Sequence, residues 1–519
     1  MINYRTNILP ILPLMVVAPH IAKAQEAQRP NILLITTDDH ALQAIGAYGH
    51  PITKLAPTPN IDRLAQEGTL FVENYCANSI SGPSRASILT GKHSHANGFM
   101  SNNGKEFNTD QPLISTLLQE GGYQTATIGK WHLNVQPAGF DFYKILNDQG
   151  EYNNPDFITA DSTEQSVGYV THLITQYSKE WLESIDNDKP FFLMMQHKAP
   201  HRNWIPEEKY YRLFEGVEFP VPENYFDNYE GRKAAQEQEM NIYRDAYEGH
   251  DLKMVQGIDS DSLLYDRWPH VFFGRMTEKE RTTFLEAYRE RNNDYYLTER
   301  SEEEKAIWKL QRYLQDYLAC VRSVDDSVGE IYAYLEENGL LDNTIVIYTS
   351  DQGFYLGEHG WFDKRWMYEE TFRMPLIVRN PFVEQCGTTV DAMTQNIDFA
   401  PTMLEMASLD IPEEMQGLSF LPLLSGEKSK KGWRKSLYYH YYEYPGFHSV
   451  KAHNGVKMGQ YKLIHFYKDN NWEMYDIKSD PTEMKNIYGD KKYSKIQKRL
   501  HKEMERLIDE YEVPEKYLK

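Results

Sequence analysis

Short apolar, strand-like runs alternate with amphipathic helical patterns through much of this 519-residue chain. Residues 31–36, 190–195 and 344–349 are apolar runs of strand length, and polar or turn-forming residues flank them. Residues 324–335, just before the last of these runs, carry apolar side chains at helical spacing. Strands that alternate with helices are typical of a parallel sheet. The chain is therefore predicted to form an α/β domain with a mostly parallel central sheet.

The C-terminal part has a different pattern. Residues 428–431 are lysine and serine and indicate a linker. Three strand-like segments and one apolar helical stripe follow, at residues 436–442, 462–467, 472–475 and 496–508. We expect a large domain over residues 25–430 and a smaller α+β domain with an antiparallel sheet over residues 431–519. Residues 206–305 show little periodicity and are expected to be surface insertions.

The N-terminus has the pattern of a secretory signal. Arg5 precedes a short apolar run over residues 8–18, and Ala22-Lys23-Ala24 has the small residues of a cleavage site. Residues 1–24 are therefore predicted to be a signal peptide, and the mature protein to be exported, with the periplasm as the expected compartment. The apolar run is too short for a stable membrane span.

Charge and cysteine content exclude some classes of function. The net charge of −21 argues against nucleic acid as a partner, although a single cationic pocket can still bind an anionic small molecule. The three cysteines, Cys76, Cys320 and Cys386, contain no Cys-x-x-Cys pair, so a thiolate zinc site is not expected. They allow at most one disulfide, whose pairing the sequence leaves open.

Charged and imidazole side chains follow four predicted strands, at residues 31–36, 125–128, 190–195 and 344–349. They are Asp38, Asp39, Lys130, His132, His197, His201, Asp351 and Gln352. Open α/β sheets bind ligands beyond the carboxyl ends of their strands, so we expect these side chains to share one site. His132 and His201 are candidates for proton transfer. His197, like His359 further on, has no assigned role and is interpreted as structural.

The residue types at these positions indicate a metal and an anion. Asp38, Asp39, Asp351 and Gln352 offer oxygen ligands, which suit Ca²⁺ or Mg²⁺ better than zinc. Arg85, Lys130 and Lys364 provide positive charge for an anionic substrate group, although a lysine such as Lys364 is commonly just a solvated surface charge.

The run Ser81-Gly82-Pro83-Ser84-Arg85 is predicted to begin a helix. Proline is tolerated in the first turn, so Ser81 would lie at a helix N-terminus, where free N–H groups attract anions. Taken alone, Ser81 is either an ordinary N-cap or a nucleophile.

Together with Leu89-Thr90-Gly91, this run resembles the signature of type I sulfatases in the alkaline-phosphatase-like superfamily. Other elements match in order, namely Asp38-Asp39, Gly129-Lys130-Trp131-His132, Ala199-Pro200-His201, Ser350-Asp351-Gln352-Gly353 and Asp363-Lys364-Arg365. The resemblance covers residues 30–488 and implies an alkaline-phosphatase-like fold for the large domain.

The resemblance also implies roles for these residues. Ser81 would be oxidised to formylglycine (3-oxoalanine) by a sulfatase-maturing enzyme before export. Its hydrated form is a geminal diol, one oxygen of which attacks sulfur after activation by the metal and Arg85. The implied ligands of a single Ca²⁺ are Asp38, Asp39, modified Ser81, Asp351 and Gln352, where Gln352 replaces a frequent asparagine.

By the same resemblance, Lys130, Lys364 and His201 bind the sulfate, and His201 donates a proton to the leaving alcohol. His132 helps the second diol oxygen to expel sulfate. An unmodified serine lacks that second hydroxyl and could not follow this elimination.

The expected substrate also comes from resemblance. Residues 357–370 resemble those of bacterial carbohydrate sulfatases. Residues 199–204 and 442–446 are similar to a subgroup that acts on N-acetylglucosamine 6-sulfate in glycosaminoglycans such as heparan and heparin. Asp363 and Arg365 are expected to reach sugar hydroxyls. His448 or His453 closes the pocket, or each is simply packed at the surface or in a loop.

Three alternatives stay open. The enzyme could act on a 2-O- or 4-O-sulfate of another glycan. It could be a phosphoesterase of the same superfamily, although those usually use two zinc ions and more histidine ligands. It could also bind glycans without catalysis. The chain retains every matching catalytic position, which argues against this alternative.

Overall fold

The computed structural model describes residues 29–264, 273–384, 386–425 and 432–519. The predicted signal peptide and the predicted linker lie outside these residues. The predicted boundary between residues 430 and 431 therefore stays a prediction.

Sixteen strands lie in the described part of the chain. Their bounds are β1 Asn31–Thr37, β2 Thr69–Phe71, β3 Asn74–Tyr75, β4 Gln124–Gly129, β5 Phe142–Leu146, β6 Asp156–Ile158, β7 Thr163–Gln165, β8 Phe191–Gln196, β9 Thr344–Ser350, β10 Leu376–Arg379, β11 Thr388–Val390, β12 Thr394–Gln395, β13 Ser436–Tyr441, β14 His453–Met458, β15 Tyr461–Phe466 and β16 Asn471–Asp476.

The main sheet is mixed and mostly parallel, as predicted. Its strand order is β11-β2-β10-β9-β1-β8-β4-β5-β6-β7. The five neighbouring strands β9, β1, β8, β4 and β5 run parallel, with Ile35 paired to both Met195 and Tyr348. Strand β1 is buried along its whole length because helices cover both faces of such a sheet. The carboxyl ends of β1, β4, β8 and β9 therefore meet at one edge.

The helices of the described residues are named here in chain order. Their bounds are α1 Pro59–Glu67, α2 Ser81–Thr90, α3 Ser94–Asn97, α4 Ile114–Glu120, α5 Val170–Ser184, α6 Lys233–Gln236, α7 Glu278–Leu297, α8 Glu302–Glu337, α9 Glu369–Phe372, α10 Phe399–Met406, α11 Leu421–Leu424 and α12 Ser494–Glu510. Helices α1 and α5 pack against the long α8, and α2 and α4 pack against α10.

The C-terminal sheet is antiparallel, with the order β13-β14-β15-β16. Side chains alternate between its faces. Tyr438 and Val456 pack toward α12 in a separate apolar cluster, whereas Tyr439 and Ile464 belong to the core of the large domain. The smaller unit is therefore attached to the larger one by a shared core. Strand β14 was not predicted, because its sequence, His-Asn-Gly-Val-Lys-Met, alternates only weakly.

The prediction of surface insertions over residues 206–305 was wrong in part. This region contains α7, which begins with a capping box of Thr277 and Glu280. It also buries Asp251 and Lys253, both of which contact the loop after β8. Periodicity in the sequence could not predict that Asp251 and Lys253 contact this loop, because both residues lie outside any regular element.

Two further observations concern export and redox state. Cys76, Cys320 and Cys386 are all free, and the first two are buried. Among the residues that the structure describes, none of the helices combines the length and apolarity needed to cross a bilayer.

Candidate active site

The carboxyl ends of four adjacent strands form one polar site. Asp38 and Asp39 follow β1, Lys130 follows β4, and Asp351 follows β9. All four side chains are fully buried. His201 lies on the loop after β8, and its Nε2 is 3.8 Å from Oδ2 of Asp39. The structure thus brings together Asp38, Asp39, Lys130, Asp351 and His201 of the strand-end group, whereas His197 lies against Ser327.

Ser81 is the first residue of α2, and the N-cap is Ile80. Ser81 is therefore not the cap of this helix. Its Oγ donates a hydrogen bond of 3.0 Å to Oδ1 of Asp38, and the residue is only 1% exposed. Free N–H groups at a helix N-terminus favour negative charge at this position. Ser81 therefore lies beside the carboxylate pair and at the N-terminus of α2, a position that suits a nucleophile.

Arg85, one turn into α2, connects the ends of all four strands. Its Nε lies 3.2 Å from Oδ2 of Asp351, and one terminal nitrogen lies 3.4 Å from Oδ2 of Asp38. The other terminal nitrogen donates to the Lys130 carbonyl at 2.7 Å and to Oε1 of Gln196 at 2.9 Å. These contacts use most of the guanidinium's donors, so Arg85 is held rigidly among the acidic residues.

Two lysines neutralise the adjacent aspartates. Lys130 Nζ forms an ion pair with Oδ2 of Asp38. Lys364 Nζ donates to both carboxylate oxygens of Asp39, each at 2.7 Å. Both lysines are buried. Lys364 is thus part of the site and not a solvated surface charge.

Burial and these charges shift the pKa values of the three carboxyl groups in different directions. Burial by itself would raise the pKa of Asp38, but Lys130, His201 and Arg85 together hold it well below its ordinary value. Burial, together with the negative charges of Asp38 and Asp351 and against the opposing charge of Lys364, raises the pKa of Asp39 to about 8. Burial and the charge of Asp38 also raise the pKa of Asp351. Three adjacent acids in a dry site require additional positive charge to ionise together.

The donor set fits a hard divalent cation. Ligand atoms of Asp38, Asp39 and His201 all lie within 4.8 Å of one another. Gln352 donates through Nε2 to Oδ1 of Asp39 at 2.5 Å, while its Oε1 is buried without a hydrogen-bond partner in the described structure. A buried acceptor without a donor is unfavourable, and a cation would satisfy it.

Asp351 is placed differently from the other predicted ligands. Its Oδ1 accepts a 3.2 Å hydrogen bond from the Asp39 backbone N–H, and its Oδ2 faces Arg85. It adjoins the cluster of Asp38, Asp39 and His201 but lies outside it.

His132 is buried and His201 is partly buried. Burial lowers the pKa of each well below its ordinary value, and the positive charge of Lys130 lowers it further. His201 Nδ1 donates to the Arg202 carbonyl at 2.7 Å, which leaves Nε2 facing Asp39. His132 Nε2 lies 2.8 Å from Nε2 of Gln149. Each ring is held by one nitrogen, and the other nitrogen is left for chemistry.

A second polar group adjoins Lys364. The carboxylate of Asp363 lies 2.8 Å from Nε2 of His448 and 3.4 Å from Nε of Arg365. Burial would raise the pKa of Asp363, but Arg365 and His448 hold it well below its ordinary value. Arg365 also donates to Oε1 of Glu443 at 2.9 Å. His448 therefore joins the predicted pair Asp363 and Arg365.

His453 does not join this group. It is fully buried in β14, where its ring packs against Trp366, Tyr439 and Phe466. Its Nδ1 lies 2.7 Å from the Lys451 carbonyl. His453 is therefore packed in the interior of a strand, and not at the surface or in a loop. His197 and His359 are also buried, against Ser327 and Asp227 respectively.

Several residues of the site were not singled out from the sequence. Gln196 and Gln149 contact Arg85, Lys130 and His132, and Glu443 contacts Arg365. Gln196 is the last residue of β8, so the strand-end pattern could have identified it. Gln149 lies in an irregular loop and carried no such signal.

The charges explain what the site can bind. Asp38, Asp39 and Asp351 face an equal number of cationic side chains, Arg85, Lys130 and Lys364. A divalent cation added to this balanced set creates an excess of positive charge beside Ser81. Such a site attracts an anionic ester and stabilises charge that develops during attack at its central atom.

Comparison with known families agrees with this geometry. A family model described as Sulfatase matches residues 30–409. A second model, described as the C-terminal part of N-sulphoglucosamine sulphohydrolase, matches residues 357–510.

Individual relatives extend the similarity to nearly the whole chain. An N-acetylglucosamine-6-O-sulfatase of Bacteroides thetaiotaomicron is 46% identical, with 98% of this chain and 91% of the relative covered. The N-acetylglucosamine-6-sulfatase of Homo sapiens is 27% identical over 80% of this chain and 68% of its own. A solved structure of a protein with its substrate D-glucosamine-2-N,6-O-disulfate superposes with a TM-score of 0.90, at 46% identity, over 94% of this chain and 99% of that one.

Proposed function

The chain belongs to the sulfatase family, and we propose that it hydrolyses the 6-O-sulfate ester of N-acetylglucosamine from heparan- or heparin-type glycosaminoglycans. The observation that carries this proposal is the meeting of Ser81, Asp38 and Lys130 at the N-terminus of α2, with Lys364 on the adjoining aspartate. A helix N-terminus, two lysines and oxygen ligands for a cation form a receptor for a sulfate group.

We propose that one Ca²⁺ binds at the carboxylate cluster. Asp38, Asp39 and Gln352 would hold it, together with Asp351 and the oxygen of residue 81. The unpartnered Oε1 of Gln352 and the oxygen-rich donor set support calcium over zinc. When bound, the cation would polarise an oxygen of the sulfate and of residue 81 and so promote attack on sulfur.

Ser81 is proposed to be converted to formylglycine by a maturing enzyme before export. The modified residue would supply a hydrated aldehyde, whose two oxygens allow both attack on sulfur and later release of sulfate. Asp38 accepts the hydrogen bond of the Ser81 hydroxyl, so it can orient the nucleophilic oxygen. Arg85 keeps Asp38 and Asp351 in place.

The remaining residues bind the sulfate and move protons. Lys130 and Lys364 are buried cations that can each donate to a sulfate oxygen. His201 holds Nδ1–H on a carbonyl, so a proton delivered to the leaving alcohol must come from Nε2. An anionic ester beside this ring favours its protonated form. His132 would assist the second half of the reaction from the other side.

The sugar is proposed to bind against Asp363, Arg365 and His448. A carboxylate, a guanidinium and an imidazole offer both acceptors and donors to adjacent hydroxyl groups. Arg365 is fixed by Glu443, and Asp363 by His448, so the hydroxyls would meet groups that are already oriented. His453 is not included, since it is packed among aromatic rings.

We also propose that the protein is exported, with the periplasm as its compartment. The N-terminal signal pattern supports export. The net charge of −21 makes nucleic acid an unfavourable partner.

The test is sulfate release by protein expressed with a maturing enzyme. A panel would contain 6-sulfated N-acetylglucosamine, 4-sulfated N-acetylgalactosamine and 2-sulfated uronic acid disaccharides, each with Ca²⁺ and with a chelator. We expect Ca²⁺-dependent release from the first. Preference for the 4-sulfated sugar would contradict the proposed substrate.

Two controls separate the alternatives. Mass spectrometry of the peptide that contains residue 81 should show the mass of formylglycine, and serine alone in matured protein would contradict the mechanism. Ser81→Ala should abolish release while it retains binding of the sulfated sugar. Release by Ser81→Ala at the wild-type rate would remove residue 81 from the chemistry.

A further inference from the structure

Gln149 contacts three cationic or imidazole residues of the site. Its side-chain Oε1 accepts a 2.6 Å hydrogen bond from Lys130 Nζ, and its Nε2 lies 2.8 Å from His132 Nε2. Its backbone carbonyl accepts a 3.1 Å hydrogen bond from Lys198 Nζ. Gln149 lies in the loop between β5 and β6, outside every strand end that marks the site.

The contact with Lys130 determines which way the amide points. A lysine ammonium has three donors and no acceptor, so the amide oxygen must face Lys130. The amide NH₂ group then faces His132. Lys130 forms an ion pair with Asp38, so the opposite orientation of the Gln149 amide would place its NH₂ group against the N–H donors of Lys130.

The amide orientation in turn determines the tautomer of His132. A neutral imidazole has one donor nitrogen and one acceptor nitrogen. Gln149 presents an N–H group to Nε2 of His132 at 2.8 Å, closer than the Asp148 carboxylate at 3.9 Å, so Nε2 accepts and the ring proton lies on Nδ1. This Nδ1 is buried and has no hydrogen-bond partner among the described residues, so it is available to a group that enters the site.

His132 lies beside the residue that performs the chemistry. A Cβ added to Gly82 would lie 3.2 Å from the His132 carbonyl oxygen, so the backbones of residues 82 and 132 are in close contact. The backbone of His132 therefore lies against that of Gly82, the residue after Ser81, and His132 is buried.

We propose that Gln149 is a positioning residue. Lys130 orients its side-chain amide, and the oriented amide places the His132 proton on Nδ1. Its effect on turnover rests on the proposed sulfatase reaction, whereas its effect on the tautomer does not. The effect on the His132 tautomer and the effect on turnover can therefore be tested by separate measurements.

The direct test is the tautomer of His132 by ¹⁵N NMR of protein with labelled histidine, in the unmodified Ser81 form. The chain has 17 histidines, so the His132 signals are assigned by their loss in His132→Asn. We expect a protonated Nδ1 in the wild type. Gln149→Glu offers an acceptor to both neighbours, so it should move the proton to Nε2. Gln149→Leu should remove the preference.

A matched control is Gln124→Leu. Gln124 lies at the start of the same strand that ends before Lys130, and its side chain binds the backbone N–H and carbonyl of Asp186. This control should leave the His132 tautomer unchanged. A wild-type His132 protonated on Nε2, or an Nδ1 preference that survives Gln149→Leu, would overturn the proposal.

Turnover gives the second readout, in matured protein. Gln149→Leu should lower kcat about 10- to 100-fold, the size of effect that hydrogen-bond partners of active-site histidines commonly have, with a smaller change in KM. The kcat of Gln124→Leu should stay within about twofold of the wild-type value, which corresponds to a negligible change in activation free energy. Equal losses in the two variants would indicate a merely structural role. An inactive wild type with the expected tautomer would instead contradict the proposed function.

Discussion

Nζ of Lys364 lies 2.7 Å from both carboxylate oxygens of Asp39, in a pocket where both side chains are buried. Burial opposes the positive charge of Lys364, but Asp39 and Asp363 raise its pKa above the ordinary lysine value. Lys364 is therefore a fixed cation at the point where we propose that sulfate binds.

Replacement of Lys364 by methionine should lower kcat/KM for the sulfated sugar by about 100-fold or more, because a preorganised cation would be lost from the transition state. Steady-state kinetics at saturating Ca²⁺ would measure this. Lys54→Met, at an exposed position, is the control and should be neutral. Equal kinetics in wild type and Lys364→Met would exclude Lys364 from sulfate binding.

The unpartnered Oε1 of Gln352 makes a metal test possible. If a cation uses this oxygen, Gln352→Leu should weaken Ca²⁺ binding about 10-fold, as measured by isothermal titration calorimetry of the chelator-treated protein. If no cation binds there, the same substitution removes the unsatisfied acceptor together with the hydrogen bond from Nε2 to Asp39, so calcium binding should stay unchanged. Calcium affinity, and not thermal stability alone, therefore separates the two outcomes.

Arg365 should determine recognition of the sugar more than cleavage of the ester. Arg365→Ala leaves Asp363 and Glu443 without their shared cation, so kcat/KM for N-acetylglucosamine 6-sulfate should fall about 100-fold. Arg365→Lys should not restore it, because lysine lacks the planar fork of donors. 4-Nitrophenyl sulfate has no sugar hydroxyls and serves as the control substrate. A parallel loss on both substrates would contradict a role in sugar recognition.

Gly129 allows β4 and β8 to approach each other directly before Lys130. Its φ is +107°, and an added Cβ would lie 1.9 Å from the backbone oxygen of Gln196. Gly129→Ala should therefore lower the free energy of unfolding by about 3 kcal/mol or more and displace Lys130. Gly98→Ala has a φ of +82° with open space around the added Cβ, so it should cost about 1 kcal/mol. Denaturant unfolding of both variants makes the comparison.

Buried neutral histidines should make the protein less stable in acid. Burial lowers the pKa of His453 to about 4 from an ordinary value of 6.5. Between these values the unfolded chain binds a proton that the folded protein does not. The free energy of unfolding should therefore fall by about 1.4 kcal/mol per pH unit from this one histidine as the pH drops from about 6.5 to 4.

His453→Phe keeps a flat ring in the aromatic cluster and removes the titrating group. Unfolding curves at pH 7, 6 and 5 should show a shallower loss of stability in this variant than in the wild type. The same pH dependence in both proteins would indicate that His453 is protonated in the folded state near its ordinary pKa.

The sequence alone determined the fold class and most of the site, because both depend on local patterns. Strand-like runs in the sequence identified β1, β4, β8 and β9, and the polar residues directly after them lie at one edge because parallel strands end together. Asp38, Lys130 and Asp351 could be grouped in this way before any contact was known. Ser81 and Lys364 were candidates from their residue types, and the resemblance to sulfatases then gave them roles.

The tertiary structure decided what depends on contacts between distant segments. Nothing local distinguishes His448 from His453, which are five positions apart, yet one faces Asp363 and the other packs against Trp366. Gln149, Glu443 and Asp251 lie in loops without periodicity, so only the folded chain shows that they hold His132, Arg365 and Arg202. Hydrogen bonds across such sequence separations are set by packing, which the identity of a residue and its neighbours does not encode.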